Sequence, residues 1–368
     1  MKETKIQKIK KDDSSAILRM FFLNFDNKII NFINMFSLAY QIVSTLIQVY
    51  FIITNISLEL ITRYSTMLIV NCYSMFAMIF LIIFEKNMIK LDNFFISFAW
   101  SIDNAGEVTA RDIKGTSAKI NRIICFMLGL NLIVMIIYFP FCGNQSELFI
   151  WERVCDRYFG IWSKLFYHIY FATIPSLVYS GVRLGFILIH GIWNLKNQVL
   201  LIIAYILKIS DDFADLDDWQ KLHSVQYQNA IFERLCLCIK HHVTLKRHIR
   251  QIHEIVEIAM PWFLLFATLI FITSIVFVLN YIETMSNVLK LRFCTAGCNF
   301  ALVLIIFCEA GQSLVDETGR VFEVLGSSSW YIWNVKNRRI LLNFMTNCVN
   351  PIKFSFAGIS LDYRLAVS

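Results

Sequence analysis

Six stretches of the chain are predominantly apolar over the length of a membrane span. Asn34–Ile56, Tyr64–Phe84, Ile123–Phe141, Leu165–Ile187, Ile258–Leu279 and Phe293–Cys308 with its flanks are each long enough to cross a bilayer, whose hydrocarbon core is about 30 Å thick. None shows the period-2 alternation of a membrane strand. Between the fourth and fifth spans the pattern changes. The run "VLLIIAYILK" from Val199 is too brief to cross and reads as the fourth helix continuing into solvent. Leu235, Cys238, His242, Leu245, Ile249, Ile252 and Val256 then recur at alternating spacings of 3 and 4, an apolar seam of heptad type. Lys240, Lys246, Arg247 and Arg250 fall off that seam. The fifth helix is therefore expected to begin well outside the membrane and pack there, with "SDDFADLDDWQ" at 210–220 as the acidic turn before it. After span six, Leu314, Val321, Leu325, Trp330, Trp333, Leu341, Leu342 and Phe344 give a polar stretch one partly buried face, closed by Pro351. The run from Phe354 to Ser368 contains Asp362 and Arg364 and can begin a seventh span without completing it.

Composition sharpens this into a fold class. Of 368 residues 57% are hydrophobic and 17% charged, against about 25% charged in an ordinary soluble domain. Lipid is the solvent for much of the chain. Only 4 Pro and 13 Gly argue for long unbroken helices. The expected architecture is all-α: a polytopic membrane helix bundle with six complete spans, the start of a seventh, a cytoplasmic N-terminus and a cytoplasmic helical anchor layer. The divisions are 1–33 (cytoplasmic segment), 34–187 (spans one to four), 188–257 (cytoplasmic helical extension), 258–309 (spans five and six), 310–353 (anchor helix) and 354–368 (start of span seven).

Charge sets the orientation. Lys and Arg number 27 on the side shared by the N-terminus, the second and fourth interspan loops and the tail, and six on the other. The basic side is cytoplasmic. Asn144 opens an Asn-Gln-Ser sequon on the predicted outside, and Asn55 opens Asn-Ile-Ser close to the membrane. The same orientation argues against a G-protein-coupled receptor. Asn350-Pro351-Ile352-Lys353-Phe354 and Asp362-Tyr363-Arg364 imitate rhodopsin-like motifs, yet the cytoplasmic end of span three reads "KINRIICF" and holds no acidic-Arg triplet.

Reactive side chains add little. Ten cysteines are dispersed. Cys142 and Cys155 share the loop between spans three and four, so one disulfide there and two free thiols are both open to this sequence. Cys236 and Cys238 lack the second pair of a metal site. His241, His242, His248 and His253 lack the i, i+4 pair of a helical zinc site, and packing accounts for His242 on the apolar seam. No nucleophile–base arrangement, phosphate-cradling Gly loop or paired-carboxylate signature is present. The sequence supports neither enzymatic chemistry nor a cofactor, and a net charge of +7 concentrated on one membrane side is no nucleic-acid footprint.

The last third carries a family pattern. Gly311-Gln312, Glu317-Thr318, Trp330, Arg338-Arg339, Leu341-Leu342, Pro351 and Ala357-Gly358 follow span six in order, and Ile239, His242 and Leu245 form an Ile-x-x-His-x-x-Leu motif upstream. With the N-in span plan, this resembles the insect odorant receptors, the seven-span chemoreceptor channels. The related gustatory receptors share the plan. Two departures stand out: Gly326 occupies a position where the family carries an aromatic, and the family continues through a whole pore-lining seventh helix where this chain reaches Ser368. The second leaves open a truncated, non-conducting member.

The resemblance implies a subunit of an odorant-gated, non-selective cation channel, assembled as a heterotetramer with a conserved co-receptor in sensory-neuron dendrites. It implies a plasma-membrane location and a small volatile ligand among the outer halves of spans two, three, four and six. The positions concerned are Tyr64, Met67 and Asn71; Asn131, Met135 and Tyr138; Tyr167, Tyr170 and Thr173; and Phe293 and Thr295. Subunit contact in the anchor layer would fall to His242, Leu245, Trp330, Arg338, Arg339, Leu342 and Pro351.

Overall fold

The computed structural model describes residues 28–356, 359–360 and 363. Nine helices carry the described chain: α1 (Lys28–Thr54), α2 (Leu58–Phe98), α3 (Glu107–Ile137), α4 (Trp151–Tyr158), α5 (Ser163–Leu207), α6 (Asp218–His223), α7 (Val225–Tyr281), α8 (Asn287–Gly326) and α9 (Val335–Cys348). Six are long and apolar enough to cross a membrane: α1, α2, α3, α5, α7 and α8. The protein is a polytopic helical membrane bundle.

The starts of these helices are legible in local chemistry. Ser57, Ser224 and Ser286 accept the orphan N–H groups of Leu60, Tyr227 and Leu289, and Asp217 with Gln220 closes a reciprocal capping box on α6. Gly106, at φ +83°, turns the chain into α3, and a Cβ there would strike the Lys208 side chain. Lys208 Nζ donates to Ala105 O at 2.9 Å, tying this turn to the end of α5.

The bundle is polar inside and apolar outside along α1. Its buried positions are Ser37, Leu38, Gln41, Ser44, Thr45 and Gln48, while Phe32, Val43, Leu46, Tyr50 and Ile53 are exposed. A soluble helix has the reverse arrangement. Lipid solvates the apolar face, and hydrogen bonds between helices hold the polar one. Asn34 Oδ1 accepts from Ser176 at 2.6 Å, and Gln41 Nε2 donates to Tyr170 O and Thr173 Oγ1 at 3.1 and 2.8 Å. Asn71 Nδ2 reaches Gln41 Oε1 at 3.0 Å and Thr45 Oγ1 at 2.9 Å.

On the basic side the helices run on past the bilayer into a packed layer. α5 continues through the Val199 run, whose Val199, Leu201, Ile202, Ile203 and Ile206 are buried. α7 is one helix from Val225 to Tyr281, and its heptad seam is the buried face: Leu235, Cys238, His242, Leu245, Ile249 and Val256 all lie inside, with Ile252 packed against the core. At the centre Gln198 clamps the Trp100 backbone, accepting from its N–H at 2.8 Å and donating to its carbonyl at 3.1 Å. His241 stacks on the Trp100 ring with centroids 4.0 Å apart and hydrogen-bonds Gln198 Oε1 at 3.1 Å.

One expectation is corrected. The segment 310–353 is not one anchor helix: α8 runs unbroken to Gly326, a 3-10 turn follows at Trp330–Ile332, and α9 is separate. Nothing between Cys308 and Gly326 breaks a helix, and Ala310, Leu314, Val321 and Leu325 prolong its buried stripe. Within 354–368, Ser355–Phe356 pairs antiparallel with Ile359–Ser360 and Tyr363 is helical, and the rest of the expected start of a seventh span lies outside the described residues. Residues 1–27, with most of the basic N-terminal segment, and Ala357-Gly358 lie outside the described residues.

Candidate ligand site

Charge places the connections α1–α2, α3–α5 and α7–α8 on the outside. There the chain between α3 and α5 folds inward rather than looping away. Leu148, Phe149, Ile150, Trp151, Val154 and Cys155 are buried beneath the ends of the spans, in a cluster with Tyr64 of α2, Tyr170 and Phe171 of α5, Phe277 of α7 and Leu289 of α8. Trp151 is its centre at 1% exposure. The indole stacks on Tyr170 with centroids 5.2 Å apart, meets Tyr40 edge-on at 6.4 Å, and donates to Phe166 O at 3.3 Å.

The eleven sequence-predicted ligand positions separate into three groups. Tyr64, Met67, Tyr138, Tyr167, Tyr170 and Phe293 come together in this outer cluster, drawn from α2, α5, α8 and the end of α3. Tyr64 donates to Ser146 O at 2.7 Å, Tyr138 to Arg292 O at 3.4 Å, and Phe293 stacks on Phe277 at 4.9 Å. Asn71 and Thr173 belong instead to the polar seam against α1. Asn131 accepts from Asn299 Nδ2 at 2.8 Å between α3 and α8, Thr295 spends its hydroxyl on its own helix at Leu291 O and Arg292 O, and Met135 is half-buried on α3.

Arg292 locks the outer end of this arrangement. Although 1% exposed, it forms no ion pair with a carboxylate among the described residues. Its guanidinium donates to Ile137 O at 3.1 Å and to Cys142 O, and lies 5.6 Å from the Tyr138 ring centroid. Ile137 ends α3, so the cation satisfies a terminal carbonyl and faces the negative end of the helix dipole.

The disulfide option closes here. Cys142 and Cys155 are both free thiols. Cys155 faces the apolar cluster from α4, while the Cys142 carbonyl is turned to Arg292. Burial, then the neighbouring Asp156 and Glu152 charges, push the Cys155 thiol up to about 12. Among the described residues no group of three or more His, Cys, Asp or Glu side chains is placed to hold a metal ion.

Sequence reasoning missed Trp151, Gln41, Gln48, Phe277, Asn299 and Arg292. The α1 residues did leave a signal: Ser37, Gln41, Ser44 and Gln48 mark one helical face in an otherwise apolar span. Trp151 left none, because nothing local announces that its loop folds inward.

At the anchor, His242 and Leu245 are buried on α7, with the His242 ring edge-on to Phe344 at 5.3 Å and its Nε2 3.8 Å from Cys348 Sγ. Arg338 fastens the 3-10 turn through Trp333 O and Tyr331 O at 2.6 and 2.9 Å. Trp330, Arg339 and Leu342 face outward, and Pro351 sits over Gly319 of α8.

No protein-family model matches the sequence, and no curated protein matches it. The structure, however, is similar to that of the insect olfactory receptor OR5 from Machilis hrabei, with a TM-score of 0.67 over 90% of this chain and 84% of that one, at 10% identity.

Proposed function

We infer that this chain, which carries the fold of the insect olfactory receptors, is an odorant-receptor subunit of a multi-pass membrane channel. In this reading a small volatile hydrophobic ligand lodges in the outer cluster, and binding gates a non-selective cation pathway shared with a co-receptor subunit in the plasma membrane of a sensory dendrite. One observation carries it: four helices far apart in sequence deliver Tyr64, Met67, Tyr138, Tyr167, Tyr170 and Phe293 to a single aromatic cluster. Its walls are apolar rings, and the Tyr40, Tyr64 and Tyr138 hydroxyls are turned to backbone carbonyls, which suits ligands that partition out of water. Asn71, Thr173, Asn131, Met135 and Thr295 would border that site. The inner layer, with His242 and Leu245 inside and Trp330, Arg339 and Leu342 outside, would meet the neighbouring subunits of a heterotetramer.

The test is electrical. Co-expressed with an insect odorant co-receptor in oocytes, the chain should give cation currents on exposure to a volatile panel. Tyr170→Ala and Phe293→Ala should each shift the concentration–response curve while surface expression is retained. Identical dose–response curves in both variants, or staining of an N-terminal epitope on intact cells, would refute the assignment.

A further inference from the structure

The turn between α4 and α5 holds two large apolar side chains out of the bundle. Ile161 is 98% exposed and Trp162 64%. The turn itself is braced. Gly160, at φ +49°, makes the bend, Phe159 packs on Phe166 with ring centroids 4.4 Å apart, and Ser163 Oγ donates to Asp156 Oδ1 at 2.6 Å.

Depth decides what solvates the exposed pair. Tyr64 begins the second span and Leu165 the fourth. Arg153 of α4 lies 5.5 Å from the Tyr64 ring centroid. Trp162 stands three residues before Leu165, about one helical turn. Tyr158, at the end of α4, meets Tyr50 and Phe51 of α1 at 6.5 and 6.2 Å, against the flank of a span rather than beyond it. The turn is therefore level with the outer edge of the hydrocarbon, and its exposed side runs on into the exposed Leu165 of α5, which lipid solvates. Arg157 and Lys164 flank it, both exposed and neither in an ion pair among the described residues. An indole and an aliphatic side chain at this depth, with a cation on either side, match the two layers of a membrane interface: acyl chains below and phosphates above.

We propose that residues 157–164 are a lipid anchor, in which Ile161 and Trp162 insert into the outer leaflet while Arg157 and Lys164 pair with phospholipid phosphates. The anchor seats α4. That helix is 8 residues long, with Trp151 of the outer cluster at one end and Tyr158 at the other, so the contact that holds the turn in the leaflet also holds Trp151 and Cys155 in the cluster. Its basis is the span plan and the exposure of the turn, independent of which ligand the cluster takes.

Tryptophan fluorescence of the purified full-length chain in phosphatidylcholine nanodiscs tests it. Trp162→Phe keeps a ring at that position, and the spectrum of the wild type minus that of the variant isolates Trp162. In acyl-brominated phosphatidylcholine this difference should lose roughly half of its intensity or more, and iodide in the water should quench it less. Stronger quenching by iodide than by bromolipid would overturn the anchor. So would a signal insensitive to both, the mark of a turn covered by a second copy of the chain. Arg157→Glu combined with Lys164→Glu sets like charge against phosphate and should reverse most of the bromolipid quenching; quenching equal to the wild type would refute the phosphate pairing. Ile161→Asp should raise the rate at which a water-soluble maleimide modifies Cys155, relative to buried Cys238 of the inner layer, several-fold by peptide mass spectrometry. An unchanged ratio would refute the seating of α4, and Ile161→Leu should leave the ratio at the wild-type value.

Discussion

Replacing Gln228 by Leu should loosen the inner layer out of proportion to one surface-sized change. Gln228, on the first turn of α7, makes the junction with the chain that enters α9. Its Nε2 donates to Ile332 O at 2.9 Å and Lys221 O at 3.1 Å, and its Oε1 accepts from Asn334 N at 2.8 Å and Asn337 Nδ2 at 3.1 Å. Leucine would fit the space but leave the Ile332 carbonyl and the Asn334 N–H without those partners, while Asn337 Nδ2 keeps the Gln228 backbone carbonyl at 2.9 Å. Each stranded buried group costs about 1–3 kcal/mol, and added apolar burial returns about 1 kcal/mol, so the net loss should be roughly 3 kcal/mol. In detergent that should appear as a fall in melting temperature on the order of 5 °C. Trp333 is a built-in probe, buried and donating its indole N–H to the Tyr227 hydroxyl at 3.1 Å. Gln251→Leu, on an exposed face of the same helix, serves as control and should change stability by about 0.5 kcal/mol or less. Equal melting temperatures for the two variants would refute the claim that side-chain hydrogen bonds hold α7 to α9.

Acid should unfold the inner layer through its histidines. Burial, then His242, pushes His241 down to about 3; burial, then Lys246, pushes His242 down to about 4; and burial alone pushes His248 down to about 4. In the unfolded chain each titrates near 6.5, so the unfolded state takes up protons first as pH falls and stability drops between about 6.5 and 4. From pH 7 to 5 the loss should be roughly 2 kcal/mol for each ring, read as a falling melting temperature that flattens in His241→Gln; a melting temperature independent of pH would contradict the burial. Arg292→Leu should free the end of α3 and the loop through Cys142, lowering surface expression more than Arg292→Lys, whose ammonium keeps the charge at the helix terminus; equal expression would count against the cap. A membrane-impermeant maleimide applied outside intact cells should label half-buried Cys142 but leave Cys155 unmodified until unfolding, and a mobility shift on reduction would restore the disulfide.

Much of this architecture was written locally in the chain. Spans such as Ile258–Leu279, the basic-side bias and the heptad seam from Leu235 to Val256 depend on residues near one another in sequence, where transfer free energy and helical period act without tertiary partners. So do the serine caps at Ser57, Ser224 and Ser286. Tertiary structure alone decided that the loop before α5 turns inward to bury Trp151, that Cys155 packs as a thiol, and that Gln228 joins a segment more than a hundred residues away. It also decided which of the aromatics scattered over four helices meet. Nearly every span residue is apolar, so hydrophobicity places a helix in lipid but leaves its rotation open. That rotation is settled by hydrogen bonds and ring contacts between distant segments, as Gln41 on α1 illustrates when it pairs with Asn71 and Thr173.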